Sequence, residues 1–170
     1  MFSCNFNSVT SIGDRAFSGC TSLASVTIGN GVTSLNGFYF ENNTNLTSIT
    51  IGNGVTSIGE VAFRGCTSLA SVTIGNSVSS IGKEAFSGCA DLESVTIGSG
   101  VVIIGSSAFY GCAGLTSVRF ERARTLFDAD YYPFISRDNT ISLQDAYTAG
   151  GIGTYTRPDT ESTTWTKISL

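Results

Sequence analysis

Apolar residues recur along this chain at a fixed spacing of 23, and five tandem copies keep that register without a gap. Phe17, Phe40, Phe63, Phe86 and Phe109 form one series, and Leu23, Leu46, Leu69, Leu92 and Leu115 form a second. Val26, Ile49, Val72, Val95 and Val118 follow the same spacing, as do Ile28, Ile51, Ile74, Ile97 and Phe120, and Ile12, Leu35, Ile58, Ile81 and Ile104. Gly13, Gly59, Gly82 and Gly105 also obey it.

Within one unit, Val72 and Ile74 stand two apart, which is strand spacing with both side chains on one face. Gly75-Asn76 supplies turn chemistry, after which Val78 and Ile81 return to the interior. Gly82-Lys83-Glu84-Ala85-Phe86 is long enough for one helical turn, and Gly88 can end that turn in a left-handed conformation. A single unit has too few inward side chains to offset the entropy of ordering its backbone. Units must therefore stack, burying each other's flat faces and pairing their strands. The expectation is a parallel-sheeted solenoid whose five coils make a sheet about 20 Å wide at about 4.8 Å per strand.

The composition changes at Arg119. Residues 1–118 carry 3 basic and 6 acidic side chains, whereas the last 52 carry 6 and 7, together with Phe120, Phe127, Tyr131, Tyr132, Phe134, Tyr147, Tyr155 and Trp165. A terminal coil exposes a hydrophobic slice, so residues 119–170 read as a C-terminal cap on an array spanning 1–118. Thr154-Tyr155-Thr156-Arg157 and Thr163-Thr164-Trp165-Thr166-Lys167 flank Pro158-Asp159-Thr160-Glu161-Ser162, giving a hairpin over 154–167 with Tyr155 and Trp165 as the cross-strand pair. Ahead of Val9 and Ile12 the large apolar groups are Phe2 and Phe6, so the N-terminal cap is expected to be incomplete. That implies either a fragment of a longer array or self-association through this end.

The unit Val55-x-x-Ile58-Gly59-x-x-Ala62-Phe63-x-Gly65-Cys66-x-x-Leu69-x-x-Val72-x-Ile74 resembles the leucine-rich repeat of the BspA-like, treponeme-type family, over about residues 9–120. The resemblance implies an α/β repeat solenoid: a right-handed coil with a parallel concave sheet, short convex strands and helical turns. It also implies a bacterial surface or secreted protein that binds host matrix or cell-surface proteins. The tail from Asp145 to Lys167 is similar to an end module of the same proteins. Two features depart from the family pattern. Gly29, Gly52, Gly75 and Gly98 stand where proline is common, which predicts looser turns. Asn36, Tyr39, Asn42 and Asn43 replace the usual Gly, Ala, Gly and Cys of the second repeat, which predicts a local bulge.

Composition then narrows the function. The chain has 170 residues, 41% hydrophobic and 13% charged, with net charge −4 and no basic block, which makes nucleic acid and anionic membranes poor partners. Its first residues lack a charged leader and an apolar core, and no run of apolar residues is long enough to span a bilayer. Histidine is absent, removing the commonest general base and metal ligand. Cys20, Cys66, Cys89 and Cys112 keep the repeat register, with Cys4 outside it. Equivalent positions on stacked coils lie in a line, which suits a buried thiol ladder or inter-coil disulfides better than tetrahedral zinc. Gly151-Ile152-Gly153 lacks the third glycine of a phosphate loop, and Asp128-Ala129-Asp130 lacks the remaining ligands of a calcium loop. No Ser-x-x-Lys occurs, and no histidine could activate a Ser or Thr. The reading is no enzyme, no cofactor and no metal.

What remains is surface. The outward residues of the concave strands are Ser25/Thr27, Ser48/Thr50, Ser71/Thr73, Ser94/Thr96 and Ser117/Arg119. Protein recognition draws heavily on aromatic and arginine anchors, which places the expected site at the cap junction: Arg119, Glu121, Arg122, Arg124, Asp128, Tyr131 and Tyr132. Phe38 and Tyr39, in the odd second repeat, form a convex candidate pair. Three functions fit this pattern: an adhesion module, a structural spacer in a larger surface protein, and a hydroxyl ladder that orders water or binds ice.

Overall fold

The computed structural model describes residues 2–122, 125–127, 147, 151–160, 162 and 164–168, the side chains of Leu126 and Phe127 excepted. Each repeat makes one coil with a long strand on one side and a two-residue strand on the other. The long strands are β1 (Phe2–Asn5), β2 (Leu23–Ile28), β4 (Ser48–Ile51), β6 (Ser71–Ile74), β8 (Ser94–Ile97) and β10 (Ser117–Phe120). The short ones are β3 (Ser34–Leu35), β5 (Ser57–Ile58), β7 (Ser80–Ile81), β9 (Ile103–Ile104) and β11 (Leu126–Phe127), all paired in parallel, β3 to β11, through the array. Two further strands, β12 (Gly153–Thr156) and β13 (Thr166–Ile168), close the C-terminal end.

The core lies between the two ladders. Phe40, Phe63 and Phe86 are fully buried, and the ring centroids from Phe17 to Phe109 are 5.2–5.5 Å apart with nearly parallel planes. Leu46, Leu69 and Leu92 are equally buried. The thiols of Cys66, Cys89 and Cys112 donate to the carbonyls of Phe40, Phe63 and Phe86 at 3.2–3.3 Å, each reaching one coil back.

The expected helical turns are not present, and the solenoid is a β structure rather than an α/β one: the described residues of the repeats contain no helix. The reason lies in the backbone at Arg15, Val61, Glu84 and Ser107, whose φ of 52–56° cannot continue a right-handed helix. Donors consequently alternate. Ala85 and Ser87 N–H groups donate locally to Gly82 O and Glu84 O, while Glu84 and Phe86 N–H groups donate across to Ser106 O and Ala108 O of the next coil. Inter-coil bonding thus uses groups that a helix would have kept to itself. Gly88 does take the left-handed conformation, with φ 73°.

The second coil is irregular. Phe38 lacks the left-handed φ of Arg15, Val61, Glu84 and Ser107, while Asn42 takes the left-handed position that Gly19, Gly65 and Gly88 hold elsewhere. Asn tolerates that region better than other side-chain-bearing residues. On the long-strand face, expected as a single sheet, the ladder comes in two parts, β1-β2-β4 and β6-β8-β10-β12-β13.

At the N-terminal end, β1 adds a long strand that the 23-residue series does not reveal. Cys4 pairs with Val26 and Asn5 with Thr27, a spacing of 22, after an irregularity between Phe2 and Ser3. Phe6 is buried against Phe17 and Phe40.

Candidate interaction surface

The last full coil is sealed from the C-terminal side by aromatic rings and one arginine. β12 pairs antiparallel with β10, setting Val118 beside Tyr155 and Phe120 beside Gly153, and β13 pairs antiparallel with β12. The observed register places Tyr155 opposite Lys167, so the expected Tyr155–Trp165 pair does not form. The Tyr147 ring stacks on Phe120 at 4.1 Å, and Tyr155 meets both rings edge-on. Tyr147 OH accepts from Thr125 N–H at 2.9 Å and donates to Arg122 O. Tyr155 OH donates to Gly151 O at 2.7 Å.

Arg157 completes the seal. Its Nε donates to Leu115 O at 2.6 Å, one terminal nitrogen to Ala113 O at 3.0 Å and the other to Ser162 O at 3.3 Å, with its backbone N–H bonded to Thr116 O. The guanidinium lies 5.5 Å from the Trp165 ring centroid, and burial lowers its pKa against the opposing pull of Asp159. In an array, carbonyls such as these would face the next coil; here a planar fork of donors meets them. Sequence reasoning missed Arg157 because charge composition marks a cap without saying which charge is turned inward.

Beside this capped end, the long-strand face presents hydroxyls. Ser25/Thr27, Ser48/Thr50, Ser71/Thr73 and Ser94/Thr96 are exposed or half-buried, alternating with the inward Val or Ile of each strand. On β10 the alternation leaves Ser117 and Arg119 outward, with Thr96 of β8 on one side of Arg119 and Thr154 of β12 on the other. Arg119 is exposed and pairs with Glu121, Nε to Oε1 at 3.4 Å. Arg122 is half-buried and donates to Ser99 O at 3.2 Å. The structure therefore brings Arg119, Glu121 and Arg122 to one edge of the sheet. Arg124, Asp128, Tyr131 and Tyr132 lie outside the described residues.

The Phe38/Tyr39 pair divides. Tyr39 is 8% exposed and belongs to the core, filling the bulge created by its own bulk, so it offers no surface. Phe38 is half-buried, with the Arg15 guanidinium 4.5 Å above its ring.

The five cysteines are free thiols, and among the described residues no three His, Cys, Asp or Glu side chains gather as a metal site. Burial and the neighbouring Cys89 thiol push the Cys66 pKa well above the ordinary thiol value, so it stays protonated. No helix among the described residues is long and apolar enough to cross a membrane.

Comparison with known proteins agrees with this architecture. The family described as BspA type leucine rich repeat region matches residues 2–116 in 6 copies. Among solved structures, a leucine rich cell surface protein from Faecalibacterium prausnitzii is 31% identical with a TM-score of 0.64, over 72% of this chain and 32% of its own. A leucine-rich repeat protein from Bacteroides ovatus is 37% identical with a TM-score of 0.63, over 74% of this chain and 33% of its own. The leucine rich repeat protein of T. pallidum is 25% identical with a TM-score of 0.55, over 75% of this chain and 66% of its own. The chain thus spans about a third of the length of the first two. The search of curated proteins gave no match.

Proposed function

The chain belongs to the BspA-type leucine-rich repeat family, and from that premise we propose that it is a non-catalytic protein-interaction module of a bacterial surface protein, adhesive toward host matrix or cell-surface proteins. The observation that carries this reading is the contrast along the long-strand face. Strands β2, β4, β6 and β8 offer only small hydroxyls, and β10 offers an exposed arginine between Thr96 and Thr154, on a strand paired along both edges. Arginine on a preorganised strand recognises carboxylates or carbonyls with little further loss of side-chain entropy. Arg119, Glu121 and Arg122 form the described part of the proposed site, with Arg124, Asp128, Tyr131 and Tyr132 assigned to it from the sequence; Phe38 is a secondary contact. The cell-surface location rests on the family and on the neighbour described as a cell surface protein.

The test is retention of the chain by an immobilised panel of matrix proteins, with alanine at Arg119, Arg122, Arg124 and Tyr132 in turn. At least one substitution is expected to weaken binding by about tenfold or more, as anchor residues do. Unchanged binding in all four removes the site. If the unaltered chain is retained by none of the panel, the spacer reading replaces adhesion. That second reading is favoured by the unbroken run of small polar side chains from β2 to β8.

Self-association is proposed at the opposite end, where β1 has no strand on its outer side among the described residues and a Cβ at Gly13 or Gly19 would meet nothing within 4 Å. Sedimentation that shows a monomer at every concentration would exclude it.

A further inference from the structure

Strand pairing between coils runs without a break along the short-strand side and is broken at one place on the long-strand side. β2 and β4 pair from Ser25↔Ser48 to Ile28↔Ile51, and β6 and β8 pair from Ser71↔Ser94 to Ile74↔Ile97, but β4 and β6 belong to different sheets. What spans them is a 3.4 Å bond from Ala70 N–H to Thr47 O just before the strands begin, where the equivalent bonds from Thr47 to Ala24 and from Glu93 to Ala70 measure 2.9 Å. The glycines after the strands report the same separation. A Cβ at Gly52 or Gly98 would sit 2.6 Å from the carbonyl of Ile28 or Ile74 in the preceding coil, whereas at Gly75 the nearest atom would be Asn53 Oδ1, 3.9 Å away. Ile49 and Ile51 are half-buried, while Val26, Ile28, Val72 and Ile74 are all 3% exposed or less.

The other side of the same boundary keeps its strand pairing, short of one bond that Phe38 N–H makes to Asp14 Oδ1 instead of to the next coil. β5 pairs with β3 and β7, Phe40 and Phe63 stack at 5.3 Å with planes 1° apart, and Phe40 and Asn42 N–H groups donate to Ala62 O and Arg64 O at 3.0 and 2.7 Å. Arg64 bridges the boundary as well, to Glu41 at 3.6 Å. The opening is therefore a wedge, closed at the short strands and parted at the long ones.

The second coil also differs in volume from the others. Tyr39 stands where the next three coils have Ala62, Ala85 and Ala108, and Ile49 stands where the others have valine. Asn43 replaces the ladder cysteine and turns its amide back to Phe17 O at 2.8 Å, leaving its buried Oδ1 without a hydrogen-bond partner. An over-filled coil cannot close against a neighbour of ordinary volume on both sides at once.

We propose that this boundary is a hinge: the short-strand ladder is the pivot, and the β1-β2-β4 plate swings against the β6-β8-β10 plate, changing the curvature of the face that the long strands present. A binding partner lying across both plates would select one angle, so the hinge would let one scaffold fit surfaces of different curvature. The device is independent of whether the cap junction is a binding site.

Native-state hydrogen exchange on the whole chain tests it. Backbone amides of 71, 73 and 75, the ones that face β4, should exchange roughly tenfold faster than the equivalent amides of 94, 96 and 98, the consequence of about one missing inter-strand bond per exchanging pair. Equal protection of the two segments would overturn the hinge. The cause is tested separately with Ile49→Val combined with Tyr39→Ala, which restores the volumes of the other coils. Protection at 71, 73 and 75 should then rise to that at 94, 96 and 98; protection that stays low in a folded variant would overturn the volume explanation. A disulfide introduced by Thr50→Cys with Thr73→Cys provides a reading that needs no repacking. It should form more slowly than one from Thr73→Cys with Thr96→Cys, and equal rates would contradict an open boundary.

Discussion

Replacing Phe63 with alanine removes the middle ring of the stacked column. The side chain is fully buried, with Phe40 on one face at 5.3 Å and Phe86 on the other at 5.2 Å, so both neighbouring coils lose a contact with it. Truncating a buried phenylalanine costs about 3–5 kcal/mol, and an aromatic pair adds roughly 0.5–1.5 kcal/mol beyond area burial. Because the cavity opens between coils paired through their short strands and closed above and below by the neighbouring rings, relaxation is limited and a loss near the upper end, about 5 kcal/mol, is expected. Phe17 is the internal control, since it occupies the same repeat position but is only half-buried, at the end of the column. Phe17→Ala should lose about half as much. Urea unfolding followed by circular dichroism measures both. Equal losses, or a Phe63→Ala loss below about 1.5 kcal/mol, would mean that stacking between coils does not hold the array together.

Three further outcomes follow from the geometry. Gly100→Ala should destabilise by at least about 2 kcal/mol because the new Cβ would lie 1.9 Å from Asn76 O, whereas Gly88→Ala, which has room but a φ of 73°, should lose about 1 kcal/mol in the same urea titration. Arg157→Ala should lower stability by about 1–2 kcal/mol by stranding the carbonyls of Ala113 and Leu115, and Arg157→Lys should recover only part of this because an ammonium cannot span both. The Cys66 thiol, held protonated in the folded state by burial, ionises near its ordinary value of 9.0 once unfolded. The unfolded chain then binds fewer protons, so stability is unaffected below that pH and falls as pH rises through it. Cys66→Ala should flatten that fall in thermal melts between pH 8 and 10, and an unchanged slope would count against the assignment.

The coil and its inward residues were legible in the sequence because a solenoid repeats one environment, and Phe63, Leu69 and Ile74 are all fully buried. What escaped was whatever breaks the period. β1 pairs one residue out of register, so the 23-residue series hid it. The segment Gly82–Phe86 has the length of a helical turn, and nothing in its composition announces that Glu84 will adopt a left-handed φ and send alternate donors to the next coil. The odd residues of the second repeat did announce a disturbance, but volume alone does not say on which side of the coil the strands will part. At the cap junction, charge density marked the edge where Arg119, Glu121 and Arg122 gather, yet the inward turn of Arg157 depends on backbone carbonyls that no side-chain pattern encodes.

The central claim is that coils of one length survive only by stacking in register, and deleting one of them tests it most directly. Removing residues 78–100, which joins Ser77 to Val101 and takes out one whole 23-residue repeat, should leave a chain that unfolds cooperatively, with its denaturant slope reduced by roughly one part in six. Removing one residue fewer, 78–99, puts every later side chain out of step and should abolish cooperative unfolding. If both deletions fold equally well, or neither folds, the stacked-coil account is contradicted.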